Sequence, residues 1–371
     1  MDYMAQALSL AKLALGSVSP NPAVGAVIVK DDVVVGQGYT QPVGSEHAEI
    51  VALQQAGEQA RGSVMYVTLE PCCHYGRTPP CSQSIIAAGV AEVRLAMLDP
   101  NPLVSGRGKK ELEREGIKTF VGEHEDEARE INEAYIKFIT TGMPFITAKF
   151  AMSLDGKIAT KSGDSKWISS EESREKVHNL RYTTDAVAVG VNTVLTDDPL
   201  LTCRCCGGRG GTARKQPLRV VVDDKGHTPL TARLFGEPGK TLLALGKSIT
   251  PEEASAFTQA GAELLELPST GGLVDLERLF ETLGKREITS ILVEGGGILL
   301  GSLFDYDLVD KVIVFIAPVI IGGSEAKTAV GGKGVDKVVN SLRLGRVSVE
   351  RFGEDLMVSG YVTPKTEEAK A

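Results

Sequence analysis

Apolar residues at Met4, Ala7, Leu8, Ala11 and Ala14/Leu15 recur at helical spacing and predict a helix near the start of the chain. The stretch "AVGAVIVKDDVVVGQGY" then reads as a strand, "HAEIVALQQAG" as a helix and "SVMYVTLE" as a second strand. A helix after "TPPC", the strand "EVRLAML", and a short helix and strand near "GIKTFVG" continue the alternation. A further helix, "EDEAREINEAYIKFITTG", stops at Gly142 ahead of Pro144, and glycine followed by proline marks a boundary. Beyond it, "FITAKFAMS", "AVAVGV", "LRVVVDD", "TLLALG", "SILVEGG" and "KVIVFIAPVII" predict strands separated by helical patterns. Both parts read as α/β. The expected division is one domain over residues 1–143, a second over 144–362, and a polar tail over 363–371. The Gly- and Arg-rich "CRCCGGRGGTARKQ" reads as a loop, and no internal repeat is present.

With 371 residues, the chain is long enough for two domains. Its 42% hydrophobic and 24% charged content is ordinary for a soluble globular protein. A net charge of −8 argues against a nucleic-acid binder, although a local basic pocket could still take a substrate phosphate. The opening residues carry Asp2 and a mixed polar pattern, unlike a secretory signal. No run approaches the roughly 20 apolar residues of a membrane span. The expectation is therefore a cytoplasmic protein that binds neither nucleic acid nor membrane. Thiols stay reduced in that compartment, so clustered cysteines point to metal or chemistry before disulfides.

Such a cluster exists. "LEPCCHYGRTPPC" holds three of the six cysteines and one of the five histidines, and "HAEI" lies upstream. A catalytic zinc takes three protein ligands and keeps one position open. The zinc-deaminase pattern is H-x-E followed by P-C-x-x-C. His47-Ala48-Glu49 and Pro71-Cys72 match it, but the second cysteine is Cys81, with eight residues between. Two thiolates and an imidazole form a soft site suited to zinc. His47, Cys72 and Cys81 are the expected ligands, with Glu49 as proton shuttle. Cys73 reads as a small packed side chain. A purely structural site would instead fill all four positions, drawing on Cys73 or His74, and would have no use for Glu49. A zinc-stabilised scaffold or RNA-associated protein is the corresponding non-catalytic reading.

"SPNPAVGAVIV", "HAEIVAL", "VTLEPCCHYGRTPPC", "DPNPLVSGRG", "AMSLDGKIA", "SKWIS", "TVLTDDPLLT" and "LVEGGG" occur here in one order. In that order they resemble the bifunctional riboflavin biosynthesis proteins, in which a pyrimidine deaminase is fused to a pyrimidine reductase. The resemblance spans about residues 1–362. It implies a cytidine-deaminase-like α/β/α sandwich followed by a dihydrofolate-reductase-like α/β domain. The implied substrate is 2,5-diamino-6-ribosylamino-4(3H)-pyrimidinone 5′-phosphate. It would be deaminated at zinc, and its ribosyl group then reduced to ribityl with NADPH. Asn21 matches a position beside the pyrimidine, where an amide can both donate and accept. His74, Arg77, Asn101 and the glycine-flanked Arg107 suit the substrate and its phosphate.

In the second half, the resemblance places Ala151, Trp167, Thr193, Asp197 and Glu294 at the cofactor, and Ser165, Arg181, Leu201 and Arg204 at the substrate. Lys149 joins the substrate set as a neighbour in "KFAMSLDG", beside Asp155. Gly295, Gly296 and Gly297 do not space as G-x-G-x-x-G, yet glycines between a strand and a helix admit a pyrophosphate. Family members often carry serine where this chain has Asp224, at a cofactor position, and an acid there opposes a 2′-phosphate. Cys203, Cys205 and Cys206 raise a second metal site as an option, without a nearby histidine. A homo-oligomer is expected. A deaminase with a C-terminal half that only binds nucleotide is the alternative.

Overall fold

A computed structural model describes residues 1–75, 79–204, 215–270 and 272–363. Arg77, Cys205, Cys206 and the tail beyond Thr363 lie outside these described residues. The chain divides into two units, Met1–Met143 and Pro144–Ala371.

The first unit runs α1 (Tyr3–Ala14), β1 (Gly25–Lys30), β2 (Val33–Tyr39), α2 (Ala48–Ala56), β3 (Val64–Val67), α3 (Cys81–Ala88), β4 (Glu92–Leu95), α4 (Arg107–Arg114), β5 (Lys118–Val121), α5 (Glu125–Ile131) and α6 (Glu133–Thr141). Among the described residues the strands form a five-stranded sheet in the order β2-β1-β3-β4-β5. β1 pairs antiparallel with β2 and β3, while β3, β4 and β5 run parallel. Glycines show how the layers stack. A Cβ on Gly25 would stand 1.9 Å from the Ala7 carbonyl of α1, and one on Gly38 2.5 Å from the Ala48 carbonyl of α2. Gly38 pairs with Ala26, the neighbour of Gly25, so the two glycines face opposite sides of the sheet. Helices α1 and α2 therefore cover opposite faces, giving three layers. Ala26, Ile28, Met65, Val67, Val93 and Leu95 of the sheet join Met4 and Leu8 of α1 in the core. Each larger side chain there contributes roughly 1.5–3 kcal/mol on burial.

Two expected elements are each divided in the structure. The single strand predicted over "AVGAVIVKDDVVVGQGY" is the β1–β2 hairpin, turned at Asp31 and Asp32, whose φ values are 50° and 62°. The single helix predicted over "EDEAREINEAYIKFITTG" breaks between α5 and α6 at Asn132. The side chain of Asn132 accepts from Ala23 N at 2.8 Å and donates to Ala23 O at 3.0 Å. An amide that clamps a distant strand entrance outweighs one continuous helical ladder.

The second unit runs β6 (Phe145–Ser153), α7 (Glu171–Thr183), β7 (Ala186–Gly190), α8 (Val191–Asp197), β8 (Leu218–Val222), β9 (Thr241–Leu245), α9 (Pro251–Gln259) and β10 (Ala262–Glu266). It continues with the small hairpin β11 (Ser269–Thr270) and β12 (Leu273–Val274), then α10 (Leu276–Lys285), β13 (Ser290–Val293), α11 (Gly297–Asp305), β14 (Lys311–Ala317), β15 (Leu344–Phe352) and β16 (Asp355–Val362). Its main sheet has the order β10-β9-β8-β7-β13-β6-β14-β16-β15 among the described residues. The pairs from β10 through to β14 are parallel, and their strands are apolar runs because helices cover both faces. β16 and β15 add antiparallel at one end.

From β7 the chain steps outward to β8, β9 and β10. It then returns to insert β13 between β7 and β6, and β14 lies on the far side of β6. Such a reversal opens a crevice at the carboxyl ends of the central strands, the usual place for a ligand in an open parallel sheet. No helix among the described residues is long and apolar enough to cross a membrane.

Candidate active sites

In the first unit, three elements bring the expected ligands together. His47 caps the N-terminus of α2 in an extended conformation, and Glu49 follows in its first turn. Cys72 lies in the loop after β3, and Cys81 is the first residue of α3. His47 Nδ1 is 3.2 Å from Cys81 Sγ and 3.6 Å from Cys72 Sγ, and the three ligand atoms all lie within 4.8 Å of one another. Zn–N bonds of about 2.0–2.1 Å and Zn–S bonds of about 2.3 Å put tetrahedral ligands about 3.6–3.8 Å apart, so the donor set and its spacing fit zinc. It is the metal-holding group found among the described residues. Cys73 points away, its sulfur 4.0 Å from the Leu103 carbonyl.

The electrostatics favour a cation. Hydrogen bonding from the Cys81 thiol, then from His47 and the Cys81 amide, pulls Cys72 down to about 4 against the opposing effect of burial. The same contact pushes Cys81 up, so without a cation the two sulfurs share one negative charge. The Cys81 amide, at the start of α3, points at Cys72 Sγ from 3.4 Å. The hydrogen bond to Cys72 raises His47. Glu49 is 4% exposed, and burial, then the Cys72 charge, push it up to about 7. A carboxyl group in that range beside a metal can both take and return a proton near neutrality.

The neighbouring "DPNPLVSGRG" loop is docked by a residue absent from the expected set. Glu70, 3% exposed, accepts from the backbone N–H groups of Asp99 (3.2 Å), Gly106 (2.8 Å) and Lys109 (2.9 Å). Gly108 lets α4 approach, since a Cβ there would meet the Pro71 carbonyl at 2.2 Å. The Glu70 carboxylate thus joins this loop to the segment carrying Cys72. Its signal was an acid at a strand end before proline, which alone names no partner. Asn101 Oδ1 accepts from Leu103 N at 3.0 Å, and Arg107 is exposed. His74 Nδ1 is buried without a hydrogen-bond partner among the described residues, which leaves it available to a ligand. Asn21 is half-buried, its backbone amide bonded to Val18 O at 2.9 Å.

In the second unit, a cavity of ≈ 570 Å³ occupies the crevice at the strand ends. That volume is typical of a small-molecule site. Of the expected residues, Lys149, Ala151, Ser165, Thr193, Asp197, Glu294, Gly295, Gly296 and Gly297 line it. Gly295 and Gly296 have φ of 131° and 84°, and a Cβ on Gly296 would press on Thr193 Oγ1 at 3.3 Å. Bare glycines leading into the N-terminus of α11 suit an approaching pyrophosphate, so the cradle fits a nicotinamide nucleotide. Ser165 donates to Asp197 at 3.0 Å.

Glu294 anchors a charged cluster. Arg181 binds it with two bonds of 2.5 and 2.9 Å, and Lys149 Nζ stands 4.0 Å away. Burial pushes Glu294 up, but Arg181 and Lys149 outweigh it and hold the carboxyl below its usual range. Burial lowers Lys149, with Glu294 opposing. Arg181, Leu201, Arg204 and Trp167 are not among the cavity's lining residues. Arg181 is engaged by Glu294 and the Thr202 carbonyl, and Leu201 is buried. Trp167 is 72% exposed with the Arg174 guanidinium 4.5 Å from its ring centroid. Asp155 sits outside the cavity and clamps a lining loop, accepting from Ile321 N at 3.1 Å and Gly322 N at 2.7 Å. Cys203 is buried and outside any metal-holding group found among the described residues.

Comparison with known proteins matches both units. Residues 1–97 match the family described as cytidine and deoxycytidylate deaminase zinc-binding region, and residues 144–358 match the RibD C-terminal domain. The riboflavin biosynthesis protein RibD of Aquifex aeolicus (strain VF5) is 43% identical over 357 residues, covering 96% of this chain and 97% of that one. Its counterpart from Escherichia coli (strain K12) is 41% identical, with 95% and 97% covered. The solved structure of Acinetobacter baumannii RibD, form 1, superposes with a TM-score of 0.86 at 37% identity, covering 98% of each chain. The Thermotoga maritima diaminohydroxyphosphoribosylaminopyrimidine deaminase/5-amino-6-(5-phosphoribosylamino)uracil reductase gives 0.83 at 34% identity, covering 97% and 98%. The α/β folds of the two units are thus a deaminase-like domain and a RibD reductase domain, and the chain belongs to the RibD family of riboflavin biosynthesis proteins.

Proposed function

We infer that this chain is a two-site enzyme of riboflavin biosynthesis. Its first unit deaminates 2,5-diamino-6-ribosylamino-4(3H)-pyrimidinone 5′-phosphate. Its second reduces the resulting 5-amino-6-(5-phosphoribosylamino)uracil to the ribitylamino compound with NADPH. The observation that carries the reading is the pairing of a three-ligand group, His47, Cys72 and Cys81, with a buried acid, Glu49, that the ligand set does not need.

In the deaminase site, His47, Cys72 and Cys81 hold zinc, which when bound supplies the Lewis acidity that activates water at neutral pH. Glu49 takes a proton from the attacking water and returns protons to the ring nitrogen and the leaving amine. Water adds to the ring carbon, ammonia departs, and a carbonyl remains. Asn21, His74, Arg77 and Asn101 bind the pyrimidine and its phosphate. His74 is supported by its orphaned Nδ1.

In the reductase site, Gly295, Gly296 and Gly297 cradle the cofactor's pyrophosphate, with Ala151, Trp167, Thr193, Asp197 and Glu294 completing its site. When bound, NADPH would supply a hydride for the anomeric carbon, and as the bond from that carbon to the ring oxygen opens, the oxygen must receive a proton. Lys149 lines the cavity, and its buried ammonium gives up a proton more readily than an exposed one. Ser165, Arg181, Leu201 and Arg204 complete the substrate set, with Arg181 acting through Glu294.

A coupled assay that records ammonia release and NADPH oxidation separately tests both halves. Both signals should appear from the diamino substrate, and only the second from the deaminated one. Ammonia release without NADPH oxidation would restrict the enzyme to its first activity. Thiols clustered for metal binding support a cytoplasmic setting. A homo-oligomer is supported by β15, an edge strand with Val347 and Val349 exposed. Sedimentation equilibrium showing only monomer at micromolar concentration would refute that state.

A further inference from the structure

The reductase cavity is unequal in charge along its length. It reaches from the middle of β6, where Lys149 stands 4.0 Å from Glu294, across β13 and β7 to the end of β8, where Val222 and Asp224 line it. Three interstrand steps separate the two ends, about 14 Å. The glycines leading into α11 lie between them, after β13. A dinucleotide with its pyrophosphate on those glycines and its reactive ring by Lys149 and Glu294 therefore extends its adenosine toward β8. Leu273, Val274 and Leu276 line the cavity there as well and offer an apolar face to a flat base.

Asp224 is the charged residue at that end, and it is not a structural acid. Its neighbour Asp223 is fully committed, accepting from His227 N (2.9 Å), Thr228 N (2.7 Å) and Thr228 Oγ1 (2.6 Å). Asp224 has none of these ties. Its Oδ1 is buried without a hydrogen-bond partner among the described residues. The carboxylate rests on Gly246, where a Cβ would come within 1.8 Å of Oδ1. The basic residues lining the cavity are Lys149 and Lys327, and Lys327 precedes Thr328, whose carbonyl lies against Gly297. An acceptor held beside an adenosine ribose welcomes a hydroxyl donor and opposes a phosphate.

We propose that Asp224 sets the nucleotide selectivity of this chain, accepting hydrogen bonds from the adenosine ribose hydroxyls and opposing a 2′-phosphate, so that NADH serves beside NADPH. The proposal rests on the reading of this cavity as a nicotinamide-nucleotide site. Calorimetric titration of the full chain with NAD⁺, NADP⁺, 5′-AMP and adenosine 2′,5′-bisphosphate tests it without turnover. Asp224→Asn keeps the shape and removes the charge, and Asp224→Ser removes bulk as well. In either variant, affinity for the 2′-phosphorylated ligand relative to its unphosphorylated partner should rise about tenfold or more. The wild-type ratio should shift toward the phosphorylated ligand as salt is raised, because opposed charges are screened. Ratios in both variants within twofold of wild type would overturn the role of Asp224, as would a wild-type preference for NADP⁺ above about a hundredfold. Binding of none of the four ligands would instead refute the nucleotide reading of the cavity, and the proposal with it.

Discussion

Glu294→Gln tests the charged cluster of the reductase site with a change of one oxygen to nitrogen. The side chains of Glu294 and Arg181 are only 7% and 13% exposed. Glutamine removes the negative charge and replaces one of the two acceptors of Arg181 with a donor. A buried guanidinium then faces an NH₂ group, and Lys149 loses its counter-charge. Breaking a buried pair from one side costs about 3–5 kcal/mol, because an uncompensated charge stays behind. For a unit of this size, roughly 2–4 °C is lost per kcal/mol, so the second unit should melt about 6–20 °C lower. Burial already lowers Lys149, and loss of Glu294 removes the charge that opposes this shift. NADPH oxidation on the deaminated substrate should fall, while ammonia release from the diamino substrate persists. Arg181→Met with Glu294→Gln removes the pair as a unit. Stability should return toward wild type while reduction stays impaired. A single variant that melts like wild type, or a double variant no more stable than the single, would refute the argument that paired charge holds this site together.

Glu49→Ala should retain one zinc per chain, because the three ligands remain, and should lose about 10²–10⁴-fold in ammonia release with reduction of the deaminated substrate intact. Cys81→Ser should lose stoichiometric zinc, and full retention by metal analysis would remove Cys81 from the ligand set. Asp99 is pushed from 3.8 up to about 6, by burial first, with the Asn101 N–H and the Tyr135 O–H opposing. A folded pKa above the unfolded one gives stability that is complete below pH 3.8 and lost as pH rises through about 6. Asp99→Asn can still accept through Oδ1, which takes bonds from Asn101 N and Tyr135 O–H in the native site. Its stability relative to wild type should therefore climb by about 2 kcal/mol from pH 4 to pH 7, and a flat difference in denaturant titrations would refute the assignment.

Local chemistry made the metal centre legible before any coordinates. His47, Cys72 and Cys81 carry soft donor atoms that the fold brings within 4.8 Å of one another, and Glu49, two residues after His47, is buried. Continuous apolar runs likewise marked the parallel strands, since burial on both faces permits little else. The parts that stayed hidden depend on contacts between residues far apart in sequence. The helix break at Asn132 exists because its amide meets Ala23, 109 positions away. Glu70 matters because backbone amides of Asp99 and Gly106 in a later loop, and of Lys109 at the start of α4, converge on it. Arg181 resembles a surface cation until Glu294, 113 positions on, accepts from its Nε and Nη2. Spacing along a chain reports what a residue can do. Only the folded chain decides which partner satisfies a buried polar group first, and Asp224 Oδ1 is buried with none among the described residues.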